Sequence, residues 1–193
     1  TGTAGPISLD RQNAVTNFKA SNGNRPITFT DADALVLTGV TGGAITVTVG
    51  GNLTQTAPVQ GTSLTVNSSA GDVVLEDAAN SVATLAITNG SRAVKYKNAT
   101  NLTAVSVVGG AVELTAAAIS DNDGSVDISA TSAKLVATSG AIGLGLDVAT
   151  ATATAPGNIN LTNAKALGLT ATSSGGNVTA SAAGTLTATS VSA

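Results

Sequence analysis

The fold is decided by the stretch Gly43-Ala44-Ile45-Thr46-Val47-Thr48-Val49-Gly50-Gly51-Asn52-Leu53-Thr54-Gln55. It reads as a glycine turn, an alternating strand, a Gly-Gly-Asn turn and a second short strand. Because successive strand side chains point to opposite faces, Ile45 and Val47 face one side while Thr46 and Thr48 face the other. The same pattern recurs along the chain, and we interpret each copy as one coil of a β-solenoid.

The copies define columns of inward-facing residues. The first inward residue of each copy is aliphatic, and the set is Ile7, Ile27, Ile45, Val73, Val94, Val112, Val126, Ile142, Ile159 and Val178. A second inward position follows two residues later, and that set is Leu9, Phe29, Val47, Leu75, Tyr96, Leu114, Ile128, Leu144, Leu161 and Ala180. A second strand then follows, with the anchors Val15, Leu35, Leu53, Leu85, Leu102, Ile119, Leu135, Val148, Leu167 and Leu186.

Columns of inward residues that keep a similar spacing from copy to copy predict the fold class. One coil of about 19 residues cannot bury its own apolar face, whereas stacked coils share one core. We therefore expect an all-β fold, a parallel β-helix (β-solenoid) of about ten coils. The chirality of parallel crossover connections predicts that it is right-handed.

Two segments interrupt the regular spacing, at residues 54–85 and 115–135. The first contains an additional strand at residues 63–67, which we interpret as an extra side of one coil. The second contains a tight coil that closes through Asp121-Asn122-Asp123-Gly124. Gly or Asn precedes many first strands, as at Gly42-Gly43 and Gly109-Gly110, and we expect positive φ angles at these corners.

Composition limits the chemistry available to the chain. The 193 residues include no His, Cys or Trp, and the net charge is −3. A nucleic-acid-binding surface needs a basic patch, which this balance disfavours. The absence of Cys excludes thiolate catalysis and disulfides. We expect residues 1–193 to form a single solenoid segment that is part of a longer repetitive protein.

Three stretches resemble filamentous-haemagglutinin-type repeats. They are residues 13–20, residues 27–37 and the opening stretch at residues 43–55, and the pattern returns at residues 158–169 and 176–186. Such repeats occur in large exoproteins of Gram-negative two-partner secretion systems, including adhesins and contact-dependent inhibition stalks. The chain lacks the Asn-Pro-Asn-Gly motif of that family's secretion domain, so it resembles a shaft segment.

The resemblance implies a cellular location and binding partners for the protein. It implies export through an outer-membrane secretion partner, a location at the Gram-negative cell surface or outside the cell, and possible host-cell or neighbouring-cell receptors. It also implies a surface or secreted fibre, and from the stacked coils we expect a rigid rod that carries or displays a functional tip. We do not expect the chain to span a membrane or to bind nucleic acid. Self-association through the ends of the solenoid is an open alternative.

The acidic residues suggest one candidate metal site. Asp121-Asn122-Asp123-Gly124-Ser125-Val126-Asp127 is similar to the start of a calcium-binding loop, which places Asp121, Asp123 and Asp127 as candidate ligands. The position of the bidentate Glu holds Ser132, and Asn-Asp-Gly is also an ordinary turn sequence. A plain turn therefore remains the competing interpretation. Catalytic and cofactor-binding residues are not expected.

Outward positions along the first strands give further candidates. We expect Lys95 to lie one coil from Glu113, and Glu113 to lie beside Asp127. Arg92, Lys95 and Lys97 form a basic cluster around Tyr96, whose ring we place in the core. These acids and bases are too scattered for a polysaccharide lyase or hydrolase, so we do not expect an enzyme.

Threonine pairs raise another alternative. Thr28/Thr30, Thr46/Thr48, Thr170/Thr172 and Thr187/Thr189 have the Thr-X-Thr spacing found on ice-binding or surface-binding solenoids. We expect Val74, Lys95, Glu113 and Asp127 to interrupt this column. Asn-X-Ser/Thr sequons are also frequent and occur at Asn52, Asn67, Asn89, Asn98, Asn101, Asn160 and Asn177.

Overall fold

A computed structural model describes residues 5–121 and 123–193, and its regular elements are β-strands. The expected all-β class is confirmed. The strands in chain order are β1 (Ile7–Asn13), β2 (Asn17–Ser21), β3 (Ile27–Asp31), β4 (Leu35–Thr41), β5 (Ala44–Val49), β6 (Leu53–Ser68), β7 (Val73–Leu75), β8 (Ser81–Thr88), β9 (Val94–Lys97), β10 (Leu102–Val108), β11 (Ala111–Ala116), β12 (Ile119–Ser120), β13 (Ile128–Ser129), β14 (Ser132–Ala137), β15 (Ile142–Asp147), β16 (Thr150–Ala155), β17 (Ile159–Asn163), β18 (Leu167–Ser173), β19 (Val178–Ala182) and β20 (Leu186–Ser192).

The strands stack in parallel as two ladders, which gives about ten coils of a β-solenoid. Ladder A contains β1, β3, β5, the second half of β6, β8, β10, β12 with β13, β15, β17 and β19. Ladder B contains β2, β4, the first half of β6, β7, β9, β11, β14, β16, β18 and β20.

The core lies between the two ladders. Inward residues such as Ile27 and Ile45 in ladder A and Leu53 and Val94 in ladder B are completely buried. The ring of Phe18 in β2 stacks on that of Phe29 in β3, with centroids 4.0 Å apart, so the ladders contact each other directly. Fully burying one Val, Leu or Ile contributes about 1.5–3 kcal/mol, and each added coil extends the same core.

The expected columns are real, but their assignment to ladders needs correction. Ile7, Ile27 and Ile45 stack in ladder A, as expected. The next rung above Ile45 is Leu64 and not Val73. The strand at residues 63–67 is therefore an ordinary rung of ladder A and not an extra side.

Over the middle coils, strands expected in the column of Ile45 therefore lie in ladder B, and strands expected in the column of Leu53 lie in ladder A. Val73, Val94 and Val112 do stack on one another, but in ladder B. The next rung above Val112 is Ala133, so the expected step to Val126 is wrong. Inward and outward residues alternate identically in both ladders, and this alternation gives no information about which ladder a strand joins.

Several expected anchors are exposed. Val126 lies in a loop and is 41% exposed. Leu9, Val15 and Leu186 are also exposed. Leu9 and Leu186 belong to β1 and β20, each of which has a neighbouring rung on one side only in the described chain. Val15 precedes β2 in that same first coil.

Equivalent strands lie on opposite ladders because the sequence has a longer repeat of about 67 residues. Gly42-Gly43-Ala44-Ile45 forms the corner and start of β5 in ladder A, and Gly109-Gly110-Ala111-Val112 forms the corner and start of β11 in ladder B. Gly43 N–H donates to the Arg25 carbonyl at 2.8 Å, and Gly110 N–H donates to the Arg92 carbonyl at 2.7 Å. One repeat thus spans about three and a half coils, and equivalent residues lie on opposite ladders.

The corner glycines avoid a clash rather than supply a positive φ. A Cβ at Gly43 would lie 2.3 Å from the carbonyl oxygen of Asn24, and one at Gly110 would lie 2.2 Å from that of Ser91. Neither glycine has a positive φ, so that expectation is wrong at these corners. Of the glycines at the expected corners, Gly124 alone has a positive φ, at 77°.

Buried polar side chains close the equivalent corners of the repeat. Asp31 and Asn98 are separated by 67 residues, and each accepts a hydrogen bond from a valine N–H. The Asn98 amide also donates to the Val82 carbonyl at 3.0 Å, and its oxygen accepts from the Tyr96 hydroxyl at 3.1 Å. Asn163 repeats this arrangement with both backbone groups of Val148.

We predict that Asn98→Ala lowers the free energy of unfolding by about 2–4 kcal/mol, because it leaves the buried Val82 N–H and carbonyl without partners. The exposed Asn101→Ala is the control, with an expected change within about 0.5 kcal/mol. Urea denaturation followed by circular dichroism measures both. Equal stability of the two variants would contradict the corner assignment.

We also predict that deletion of residues 43–109, which joins Gly42 to Gly110, leaves a folded solenoid. The deletion removes one complete repeat, so the particle should shorten by about 17 Å, or three and a half coils of about 4.8 Å each. Small-angle X-ray scattering measures the length. A control deletion of residues 43–110 removes one residue more, takes away the corner glycine and should melt at a lower temperature. An unfolded 43–109 variant would contradict the repeat.

Candidate functional site

The candidate site is a loop that interrupts ladder A. The loop comprises residues 121–127 and connects β12 to β13. The neighbouring strands β10 and β15 continue without a break, and each pairs with both β12 and β13. We call this segment the inserted loop. Asn122 lies outside the described residues.

The pairing register measures the size of the insertion. Ile119 and Ile128 flank the inserted loop and pair with Leu102 and Val107 in β10. Ser120 also pairs with Thr103, so β10 has three residues between Thr103 and Val107, whereas the loop side has seven between Ser120 and Ile128. The extra chain projects over the outer surface of ladder A, and this explains why the spacing of inward residues fails here.

Gly145 in β15 makes room for the inserted loop. A Cβ at Gly145 would lie 1.9 Å from the carbonyl oxygen of Ser125. Asp127 N–H donates to the Gly145 carbonyl at 2.8 Å, and Gly145 N–H donates to Asp127 Oδ2 at 2.9 Å. Val107 N–H donates to the Asp127 carbonyl at 2.7 Å. Asp127 is thus fixed between the rungs below and above it.

A groove runs beside the inserted loop along the outer face of β15 and β17. Its volume is about 580 Å³. The lining includes Asp121 and Ser125 from the loop, Gly143 and Gly145 from β15, and Asn160 from β17. Gly143 and Gly145 carry no side chain at the outward positions of β15, and this leaves space for the groove.

The three expected metal ligands are brought together. One carboxylate oxygen from each of Asp121, Asp123 and Asp127 lies within 4.8 Å of the others. Asp121 Oδ1 accepts hydrogen bonds from Asp123 N–H at 2.7 Å and Gly124 N–H at 3.0 Å. Asp123 Oδ1 accepts one from Ser125 N–H at 2.9 Å. The positive φ of Gly124 allows this tight turn.

Asp127 differs from the other two because it is buried. Its side chain is 1% exposed, and its Oδ1 atom has no hydrogen-bond partner in the described part of the chain. Burial raises the pKa of Asp127 to about 6, and the nearby carboxylates of Asp121 and Asp123 raise it further while the Gly145 N–H opposes the shift. Hydrogen bonds from Ser125 hold the pKa of the exposed Asp123 below its usual value.

The expected lysine contact is confirmed, and the expected acidic neighbour is wrong. Lys95 and Glu113 are paired rungs, with Lys95 Nζ 3.9 Å from a Glu113 oxygen. The next rung above Glu113 is Lys134 and not Asp127. Lys134 forms an ion pair and a hydrogen bond with Glu113 that raise the pKa of the lysine. Both lysines are exposed, so this cluster contributes little stability.

The basic cluster does not surround an accessible ring. Tyr96 is 1% exposed and points into the core, as expected. Burial raises the pKa of its hydroxyl, which donates to Asn98. Lys95 and Lys97 project from the other face of β9. A stacking site for a sugar at Tyr96 is therefore excluded.

The threonine columns extend further than expected. Thr28, Thr46 and Thr65 occupy successive rungs of ladder A. Val74, Lys95 and Glu113 lie in ladder B, and Asp127 lies in the inserted loop, so none of them interrupts this column. The interruption falls one rung above Thr65, at Ala86.

The sequons divide into two groups. Asn89 and Asn98 are 2% and 3% exposed and are inaccessible in the folded chain. The other five asparagines are exposed: Asn52, Asn67, Asn101, Asn160 and Asn177.

Comparison with known proteins identifies a repeat and no activity. A family described as "Repeats of unknown function (DUF5649)" matches residues 22–89. This span begins at Asn22 and ends at Asn89, which are equivalent positions one 67-residue repeat apart. Both side chains are buried, and each donates to the carbonyl four residues later. No curated protein and no solved structure matches the chain.

We predict that the stability of the chelator-treated protein falls as the pH rises from 5 to 7.5. The pKa of Asp127 is higher in the folded chain, at about 6, than its ordinary value of 3.8. The folded state therefore holds the proton more tightly, and this contribution is complete below pH 3.8 and lost as the pH passes 6.

The comparison with Asp127→Asn isolates this effect. The wild-type protein should lose about 1 kcal/mol more than the variant between the two pH values. Urea denaturation at both pH values measures the difference. Identical losses would show that Asp127 titrates normally.

Proposed function

We propose that this chain is a shaft segment of a secreted or cell-surface filamentous protein of the adhesin type. The observation that carries the proposal is the continuity of the structure. Both ladders run from the first coil to the last, and one core of buried residues follows them. Ten coils at about 4.8 Å each give a rod about 45–50 Å long.

The mechanism is mechanical. Each rung between the first and last coils is hydrogen-bonded to the rung above and below it, so bending the rod strains many bonds at once. Outward positions are small or polar along much of the rod, as in the burial pattern of β16 and β17. Such a surface suits a spacer that keeps a functional tip away from the cell.

The proposal extends to location and partners on the strength of the repeat resemblance. We place the protein on the outer surface of a Gram-negative cell, exported with the help of an outer-membrane secretion partner. The family match to repeats is consistent with a longer repetitive protein. Within the described chain no helix has the length and apolar character needed to cross a membrane. The proposed role is structural and not catalytic.

The alternative is a fibre subunit whose coils stack between copies. Strand β20 favours it, because Leu186 and Val191 are 41% and 46% exposed on that edge. A further coil of the same protein would cover these residues equally well. Sedimentation velocity over a range of concentrations separates the two, since a shaft segment remains monomeric and a fibre subunit forms growing particles.

We predict that antibodies raised against this segment label intact cells of the source organism. Immunogold particles should lie along surface filaments and not only at their tips, because the shaft forms the length of the filament. Electron microscopy of intact and permeabilised cells measures this. Labelling that requires permeabilisation would contradict the proposal.

A further inference from the structure

The inserted loop brings three carboxylates together in space, with one oxygen of each within 4.8 Å of the others. It carries three of the 11 acidic residues of the chain within seven positions. The lysine ion pairs of the described residues are made with Glu113 and Asp147, so none of these lysines offsets the charge of the loop. Three carboxylates this close repel one another unless a proton or a cation lies between them.

The buried side chain of Asp127 points to a cation. Gly145 N–H satisfies Oδ2, whereas Oδ1 is buried without a partner in the described chain. An unpaired buried carboxylate oxygen is costly, and such groups are normally bonded or coordinate a metal. The rung above and the rung below hold Asp127 in place through its backbone, so the side chain cannot turn out to solvent without breaking the Gly145 contact.

We propose that Asp121, Asp123 and Asp127 bind one calcium ion, which fastens the inserted loop to β15. The proposal is independent of the shaft function, because it concerns one loop and not the whole rod.

The donor set favours calcium over other cations. Carboxylate oxygens are hard ligands, and the described residues include no His or Cys that would select zinc or copper. Ligand oxygens up to 4.8 Å apart can be bridged by two Ca–O bonds of about 2.4 Å. Mg²⁺ requires bonds of about 2.0–2.1 Å and strict octahedral geometry, which suits this set less well.

The partial exposure of the cluster allows water to complete the coordination. Asp123 is exposed and Asp121 is half-buried, so solvent reaches the side of the site away from the core. The hydrogen bonds to Asp121 and Asp123 come from loop N–H groups, and each carboxylate keeps lone pairs for a metal. With only three protein ligands we expect a dissociation constant on the order of 10⁻⁴ M, as in extracellular calcium modules.

Calcium binding would then raise the stability of the folded chain as well as hold the inserted loop in place. The cation bridges Asp127, which is fixed to β10 and β15, to Asp121 and Asp123 at the other end of the inserted loop. Because the unfolded chain does not hold the three carboxylates together, binding stabilises the folded state by an amount that grows with the logarithm of the calcium concentration above the dissociation constant.

The test is calorimetric titration of the chelator-treated and dialysed protein with calcium chloride at pH 7.5, together with its melting temperature. The wild type should release or absorb heat with one site per chain, and its melting temperature should rise by several degrees at saturating calcium. Asp127→Asn and Asp121→Asn should each weaken binding at least tenfold. Asp127→Asn should also melt no lower than the wild type without calcium, because it removes a buried charge.

The control is Asp77→Asn, which makes the same change in charge at another turn. Asp77 accepts a hydrogen bond from Ala79 N–H at 2.8 Å and lies outside the cluster. This variant should bind calcium as the wild type does. If Asp127→Asn fails to fold, the more exposed Asp121→Asn still gives the answer.

Several results would overturn the proposal. The site is disproved by absence of heat and of a melting shift at 10 mM calcium, a concentration about 100-fold above the expected constant. Equal binding by wild type and Asp121→Asn would also disprove it, because the cation would then lie elsewhere. An equal response to magnesium would refute the choice of calcium.

Discussion

The structure depends on the requirement that parallel strands stack in register. Each backbone N–H and carbonyl of a rung finds its partner in the rung above or below, and side chains of one type therefore lie over one another. An inward column must be apolar along its whole length, as from Ile27 through Ile45 to Leu64. Where backbones of adjacent coils meet at a corner, the same constraint excludes a side chain, and glycine is the residue that fits.

Much of the fold could be predicted from the sequence because stacking in register requires inward apolar and outward residues to alternate along each strand. The alternation identified the β-solenoid, the number of coils, the inward ring of Tyr96 and the contact between Lys95 and Glu113. It could not decide which ladder a strand joins, since both ladders have the same pattern. Equivalent residues of the 67-residue repeat, such as Ile45 and Val112, lie on opposite ladders. The repeat therefore also failed to indicate which ladder a strand joins in the middle coils.

The candidate site shows a different limit. The spacing of Asp121, Asp123 and Asp127 was visible in the sequence and suggested metal ligands. The burial of Asp127 was not, because the alternation assigned the inward position to Val126, which is exposed. The inserted loop leaves the plane of ladder A, and its side chains no longer follow the strand period. The clue available in the sequence was a single glycine, Gly145, at an outward position of the strand that the loop covers.

The register between β5 and β6 tests the central claim most directly. The chain contains no cysteine, so introduced pairs report only the intended contact. Thr46→Cys with Thr65→Cys places two thiols on the outer face of adjacent rungs, within the Cα separation of about 4.4–6.8 Å that a disulfide requires. Oxidation should cross-link this pair and leave Thr46→Cys with Val74→Cys unlinked, as shown by intact mass under non-reducing conditions. Cross-linking of the second pair alone would contradict the two-ladder register.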